Sequence, residues 1–443
     1  MKAAIRAAID AASSLTGKRF GLLVASSVVA TSAIVAGAMT GAGSSGALAA
    51  LVGRSLASDN TPVATAPAAS QSSPAAQPPR SKGGAVSHAG GPLTSPAPAP
   101  APAASGPMPK EPAATPPAET GPVEHVFVIS LAGPGYEQSL GAQSQMPYLS
   151  ATLRPKGKLL SNYTLLDEAG LPNRIAALSG QPPNAATSAG CSTYAEFPST
   201  SKTDSNGVVH GAGCVYPVET LTLADQLSSN RLTWRAYVEG MVDETGAPAN
   251  CVHPGSGESE TATPGGYAAR QNPFVYFHSL LDLGDCSTDD LPIAKLTADL
   301  RKADKTPNYS FIAPTPCDSG ASGQCAPGAT EGPASADAFL AGWVPKILAS
   351  PAYEAGGLLI VDFGGVNPPN TEPGAAPPVD PLRVGALLIS PFLTPGSTDA
   401  GPYSPYSLLR STEDLFGLSP LGLASGAKTK SFASSLLKES GGD

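Results

Sequence analysis

Charged side chains are scarce in this 443-residue chain, at 14% against about 25% in an ordinary soluble domain. Ala, Pro, Gly and Ser fill the difference, and they are spread so unevenly that much of the length cannot belong to a packed core. A basic excess is lacking too. With 26 Lys and Arg against 35 Asp and Glu, the net charge is -9 and the pI near 5.1. No basic stripe is available for a phosphate backbone, which excludes nucleic acid as a partner. No G-x-S-x-G elbow, H-E-x-x-H pair or P-loop is present, so none of those signatures supplies a mechanism. Cysteine is absent from the first 190 residues, and no C-x-x-C pair occurs anywhere.

The six cysteines that do occur are Cys191, Cys214, Cys251, Cys286, Cys317 and Cys325. Their number is even, and His253, two residues after Cys251, is the histidine closest to any of them. Disulfides in an oxidising compartment therefore fit better than a zinc site. Sequential pairing, 191 with 214, 251 with 286 and 317 with 325, is the choice made among fifteen connectivities. Free buried thiols are the alternative.

Residues 20–53 contain no charged side chain, and Phe20 to Met39 alone is long enough to cross about 30 Å of hydrocarbon. Lys2, Arg6, Lys18 and Arg19 precede it against one Asp10, so the N-terminus (1–19) is expected in the cytoplasm and everything after the span outside. Segment 20–53 reads as a transmembrane anchor or a signal segment. Ala47-Leu48-Ala49 offers a cleavage site, yet the apolar stretch exceeds the usual h-region of about 7–15 residues, which favours a retained anchor. The expected location is the cell membrane, single-pass with an extracytoplasmic domain, or secretion if the signal is cleaved.

Residues 54–122 form an Ala/Pro-rich tether, expected to be disordered, typified by the alternating Ser95 to Pro102. Alternating Pro favours extended polyproline II, a semi-stiff spacer that lifts the rest of the chain away from the membrane. At Val123 the composition turns globular. Apolar runs at Val126–Leu131, Trp234–Val238, Tyr309–Ala313, Leu358–Phe363 and Val384–Ser390 read as buried strands. Helix-like stretches at Thr222–Ser228, Leu291–Ala303, Ala334–Leu348 and Ser407–Phe416 stand between or after them. That alternation predicts βαβ units and one α/β domain over 123–437, with 438–443 as a flexible tail.

Local patterns follow one another in a telling order. They run VEHVFVISLAGPGYEQSLG (123–141), LPNRIAALSGQPPN (171–184), GCVYP (213–217), TLADQL (222–227), TWRAYVEGM (233–241) and CVHP (251–254). YAARQNPFVYFHSL (267–280), FLAGWVPKILASPAYEAGGLLIVDF (339–363), RVGALLISPF (383–392) and YSLLRSTEDLFGL (406–418) come after. From 123 to about 420 the chain resembles the phosphoesterase family, whose members are secreted phospholipases C and acid phosphatases. The resemblance implies a three-layer αβα fold with a mainly parallel central sheet, alkaline-phosphatase-like.

Members of that family hydrolyse phosphate esters with bound metal, a Ser or Thr nucleophile, and acidic and histidine side chains from several strand ends. The resemblance places each of these on a position of this chain. The Glu-Asn that follows the first strand falls on Ala132 and Gly133, and the hydroxyl nucleophile ahead of Leu-Pro-Asn falls on Gly170. A Thr-Phe-Asp-Glu strand end becomes Asp362-Phe363-Gly364-Gly365. An Arg-His-Asn-Pro pattern carries Gln271, a loop histidine and aspartate align with Ala321 and Ser322, and the His before Tyr-Ser-Leu-Leu-Arg is Pro405.

The changes coincide with the site while the flanking scaffold remains, so the expectation is a pseudoenzyme with no catalytic residue, no metal ligand and no cofactor. Asn173, His253 and Asp362 are left as a residual polar pocket. The expected partners are the membrane, through the N-terminal helix, and a cell-envelope protein or a phosphorylated ligand. Two alternatives stand beside it: an active phosphoesterase with its site rebuilt around Asp362, with Glu168 and Asp318 nearby in sequence, and a purely structural envelope protein. His125, His278, Trp234, Trp343 and the Phe274-Tyr276-Phe277 run read as packing residues.

Overall fold

A computed structural model describes residues 123–260, 262–366 and 380–438. The expectations for 1–19, 20–53 and 54–122, and for all but Lys438 of the 438–443 tail, lie outside the described residues.

The apolar run HVFVISLAG forms β1, His125–Gly133, buried at every position. Such a strand must be covered on both faces, as in a parallel sheet under helices. The other strands of the central sheet are β2 (Lys158–Leu160), β3 (Trp234–Val238), β4 (Asp290–Pro292), β5 (Tyr309–Ala313), β6 (Gly357–Val366), β7 (Ala386–Ile389) and β8 (Thr398–Asp399), and Lys202–Thr203 pairs with Val209–His210 in a separate two-stranded ribbon. Among the described residues β1 to β8 make one sheet of order β8-β2-β7-β6-β1-β5-β3-β4. The pairs β6/β1, β1/β5, β5/β3 and β3/β4 are parallel. β7 runs antiparallel to both β6 and β2, while β8 pairs parallel with β2. The result is a three-layer α/β fold with a mostly parallel central sheet.

The longer helices that accompany this sheet are α1 (Gly170–Ser179), α2 (Leu223–Ser229), α3 (Pro333–Leu348) and α4 (Pro405–Leu415). Thr222 and Asp225 cap α2 reciprocally, and Ser404 with Ser407 does the same for α4. Pro333 opens α3 at a position that needs no amide donor. α1 packs against β6 and α4 through Leu171, Ile175 and Leu178, all buried. Trp234 stacks on Phe274 at 4.9 Å and Phe274 meets Phe311 edge-on, so those aromatics are core.

The expected helix over Leu291–Ala303 does not form as one element. Asp290–Pro292 is instead strand β4, with Ala236 opposite Asp290 and Val238 opposite Pro292. A 3₁₀ turn (Ile293–Lys295) and a four-residue helix (Leu296–Asp299) follow. Pro292 lacks an amide donor, which suits the end of an edge strand and not a helix interior.

The cysteines pair 191 with 214, 251 with 286 and 317 with 325. The last bond spans eight residues and closes the loop after β5.

Candidate functional site

The C-terminal ends of β1, β5 and β6 lie side by side, and the crevice beyond parallel strand ends is where ligands enter α/β sheets. A cleft of about 380 Å³ opens there. Ala132 from β1, Gly365 and Val366 from β6, and Pro316, Ala321 and Ser322 from the loop after β5 line it. Glu168 to Leu171 and Arg174 enter from the start of α1, Ser188 to Gly190 from the following turn, and Arg270, Gln271 and Gln324 from the opposite wall.

The β1/β6 register breaks at this point. Ser130 pairs with Asp362 and Leu131 with Phe363, but Ala132 pairs with Gly365, leaving Gly364 as the extra residue of a β-bulge. A Cβ on Gly364 would stand 2.8 Å from Ser130 Oγ and 2.9 Å from Arg174 Cζ. A Cβ on Gly170 would run into Arg174 Nη1, and one on Gly365 would come within 2.9 Å of the Gly170 backbone. At Gly133 a Cβ would strike the Phe363 ring. The guanidinium of Arg174 thus fills room that side chains at 170 and 364 would take.

Arg174 is 4% exposed. Its Nη2 donates to the Leu131 carbonyl at 3.4 Å, and its Nε has no hydrogen-bond partner. It lines both the cleft and a smaller cavity of about 10 Å³ beneath, which Ser130, Tyr309 and Asp362 also line. Asp362 lies two residues below Gly364, about 7 Å deeper along the strand, and does not line the cleft. Burial pushes its carboxyl up to about 6 against the opposing pull of Arg174. Burial likewise brings Arg174 down to about 10, with Asp362 resisting.

On the opposite wall Arg270 is held by Glu260 and donates through Nη2 to Gln324 Oε1 at 2.9 Å. Gln271 is buried and donates to Ser319 Oγ at 3.0 Å.

A family model for the phosphoesterase family matches residues 141–419, well over half of the chain. This chain belongs to the phosphoesterase family. No curated protein matches it. Among solved structures it is similar to a protein of the alkaline phosphatase superfamily from Vibrio parahaemolyticus (14% identity, 67% of each chain, TM-score 0.41). It is also similar to a sulfatase from Pseudoalteromonas sp. (12% identity, 67% of this chain and 68% of that one, TM-score 0.42). A third likeness is to a phosphonate monoester hydrolase from Silicibacter pomeroyi (11% identity, 72% of this chain and 78% of that one, TM-score 0.38).

Within this phosphoesterase domain the cleft brings together Ala132, Gly170, Gln271, Ala321, Ser322 and Gly365. Gly364 borders it through Arg174, whereas Gly133 abuts the Phe363 ring, which does not line the cleft. Pro405 does not line the cleft; it is the buried first residue of α4. Of the three residues expected as a residual pocket, none opens onto it. Asn173 is 1% exposed and fully engaged: Oδ1 accepts from Leu166 N at 2.8 Å and Asp167 N at 3.3 Å, and Nδ2 donates to the Asp167 and Ala169 carbonyls. It ties the loop ahead of α1. His253 is exposed, stacked on Tyr194 at 5.3 Å, and away from the cleft. Asp362 is covered by Arg174.

His125 is a packing residue, its Nδ1 2.9 Å from the Pro307 carbonyl. His278 is not, since it lies between Glu196 at 2.9 Å and Asp282 at 3.1 Å on the surface. Arg174 escaped the sequence reading. Its signal is a lone charge inside LPNRIAALSG, a segment otherwise fit for burial.

A divalent metal does not fit the residues present. Ala132, Gly133, Gly364 and Gly365 offer no side-chain donor, and the adjacent room holds a guanidinium, which repels a second cation. Among the described residues Cys251, Cys286 and Asp290 cluster as metal ligands do, but the two sulfurs are bonded to each other.

Proposed function

We propose that this chain is a membrane-tethered, extracytoplasmic member of the phosphoesterase family that has lost hydrolysis and acts by binding through its cleft. The observation that carries the reading is the place of Arg174, in the room of the side chains expected at Gly170 and Gly364. Phosphoryl transfer needs preorganised cations and an activated oxygen nucleophile, and losing one such element costs several kcal/mol of transition-state stabilisation. Here the hydroxyl and the carboxylates are missing together. A site rebuilt around Asp362 is disfavoured, because that carboxylate is 5% exposed and lies under Arg174. Asp318 is engaged elsewhere, accepting from Ser335 Oγ at 2.7 Å.

The expected result is no hydrolysis of a phosphomonoester or phosphodiester above background, with or without Mg²⁺, Mn²⁺, Zn²⁺ or Ca²⁺. Metal-dependent turnover that disappears in Asp362→Asn overturns the reading. The tether and its orientation rest on the uncharged span 20–53 behind Lys18 and Arg19. Protease added to intact cells is expected to remove the domain; protection until the cells are permeabilised would reverse the orientation.

A further inference from the structure

We propose that Glu239 and Asp318 share one proton and through it fasten the loop after β5 to the end of β3, so that this wall of the cleft is held in mild acid and loosened above neutral pH. The device does not depend on whether the cleft hydrolyses anything.

Glu239 follows the last residue of β3, and its amide extends the parallel ladder to the Ala313 carbonyl at 2.9 Å. Just beyond β5, Thr315 holds both carboxyl-bearing residues. Its amide donates to Glu239 Oε2 at 3.1 Å, and its hydroxyl oxygen accepts from the Asp318 amide at 3.2 Å. That anchoring sets the two side chains against each other, within hydrogen-bonding reach. Asp318 Oδ1 also accepts from Ser335 Oγ at 2.7 Å, so the same carboxyl ties the loop to the first turn of α3. Ionised carboxylates only accept, so a hydrogen bond between the two requires one proton. Both residues are half-buried, and loss of that proton sets two poorly hydrated negative charges against each other.

The Glu239 carboxyl is accordingly pushed up to about 7, by burial first, against the pull of the Thr315 amide, and then by Asp318. Asp318 is the one charged group among the described residues that acts on it. On β3, Arg235 is paired with Asp299 and Asp289. The segment approaching Gly240 brings Tyr267, whose hydroxyl donates to the Val252 carbonyl. On α3, Asp337 accepts the amides of Tyr148 and Leu149, and Glu331 ahead of it accepts from the Gly323 amide. A released Glu titrates at about pH 4. Between about pH 4 and 7 the fastened form holds the extra proton, and the fastening weakens as pH rises through about 7.

The fastened loop supplies Pro316, Ala321, Ser322 and Gln324 to the cleft, and its Ser319 carbonyl accepts from the Ala132 amide at 2.7 Å. The amides of Ser319, Gly320 and Ala321 bond back to the carbonyls of Thr315, Cys317 and Pro316. The Cys317–Cys325 bond closes the loop on itself whatever the state of the proton.

The test is hydrogen–deuterium exchange of the full chain at pH 6 and pH 8, read in the peptides covering 315–325 and corrected for the intrinsic pH dependence of amide exchange. Opening of this segment is expected to rise several-fold from pH 6 to pH 8. Glu239→Gln keeps an acceptor for the Thr315 amide and offers Asp318 a permanent N–H, so it is expected to hold the segment at its pH 6 protection at both values. Asp318→Asn offers the same N–H from the other side and is the second variant, with the same expectation. Asp290→Asn, remote from the loop in sequence and titrating in the same range, is the control for global effects and is expected to leave the rise in place. A wild-type segment whose corrected protection does not change, or a rise that persists undiminished in a folded Glu239→Gln or Asp318→Asn protein, overturns the proposal, as does its disappearance in Asp290→Asn.

Discussion

Arg174 and Asp362 are buried opposite charges that influence each other electrostatically without a hydrogen bond between them. Removing one of two opposed buried charges leaves the other uncompensated, at a cost that reaches about 3–5 kcal/mol where the two form a direct ion pair, whereas replacing both by neutral groups is far cheaper. Arg174→Ala is therefore expected to lower the melting temperature strongly, and adding Asp362→Asn to recover much of the loss. Equal stability of Arg174→Ala and wild type in thermal unfolding would show that the pair is not compensating charge. That Ala132, Gly133, Gly170, Gly364 and Gly365 bring no polar side chain to this part of the molecule is read directly from the sequence. What fills the room is not. Nothing in residue order says that the side chain four positions after Gly170 turns back over the helix start, since that comes from one helical turn and from packing against β6. His253 misled for the opposite reason: it neighbours a cysteine in sequence, but the disulfide holds that segment on the surface against Tyr194.

At the level of elements, the runs at 234–238 and 309–313 are strands with the bounds read from the sequence, every residue buried except the half-buried Arg235, as inner strands of a parallel sheet require. The three-residue β2 and two-residue β8 carry no such signal. The segment from Leu291 failed because tertiary pairing outweighed its helical spacing. β4 also places Asp290 in the interior, fully buried, with Oδ2 accepting from Asn272 Nδ2 at 2.7 Å and Oδ1 unpartnered. Burial pushes its carboxyl up to about 7. An unfolded Asp titrates near pH ~4, so between about pH 4 and 7 the folded state holds the extra proton and stability falls as pH rises. Glu413, also buried, is pushed up to about 8 and acts in the same direction. The melting temperature is expected to be higher at pH 5 than at pH 8. Asp290→Asn, which keeps an acceptor for Asn272, should shrink that difference. A difference that is unchanged in the variant would show that Asp290 does not drive it.

For the molecule as a whole, the order of motifs from 123 to about 420 revealed the family and with it the fold, while the working cleft needed three dimensions. It is assembled from segments nearly 235 residues apart in sequence, from Ala132 to Val366, and its wall includes the loop closed by Cys317–Cys325. The central claim is that the cation of this site belongs to the chain itself. The most direct measurement is a calorimetric titration of the EDTA-treated protein with Mg²⁺, Mn²⁺, Zn²⁺ and Ca²⁺, repeated on Arg174→Gln/Asp362→Asn. The account predicts no stoichiometric binding by either protein and a melting temperature that EDTA does not move. One tightly bound metal per chain in the wild type, lost in the double variant, would contradict it.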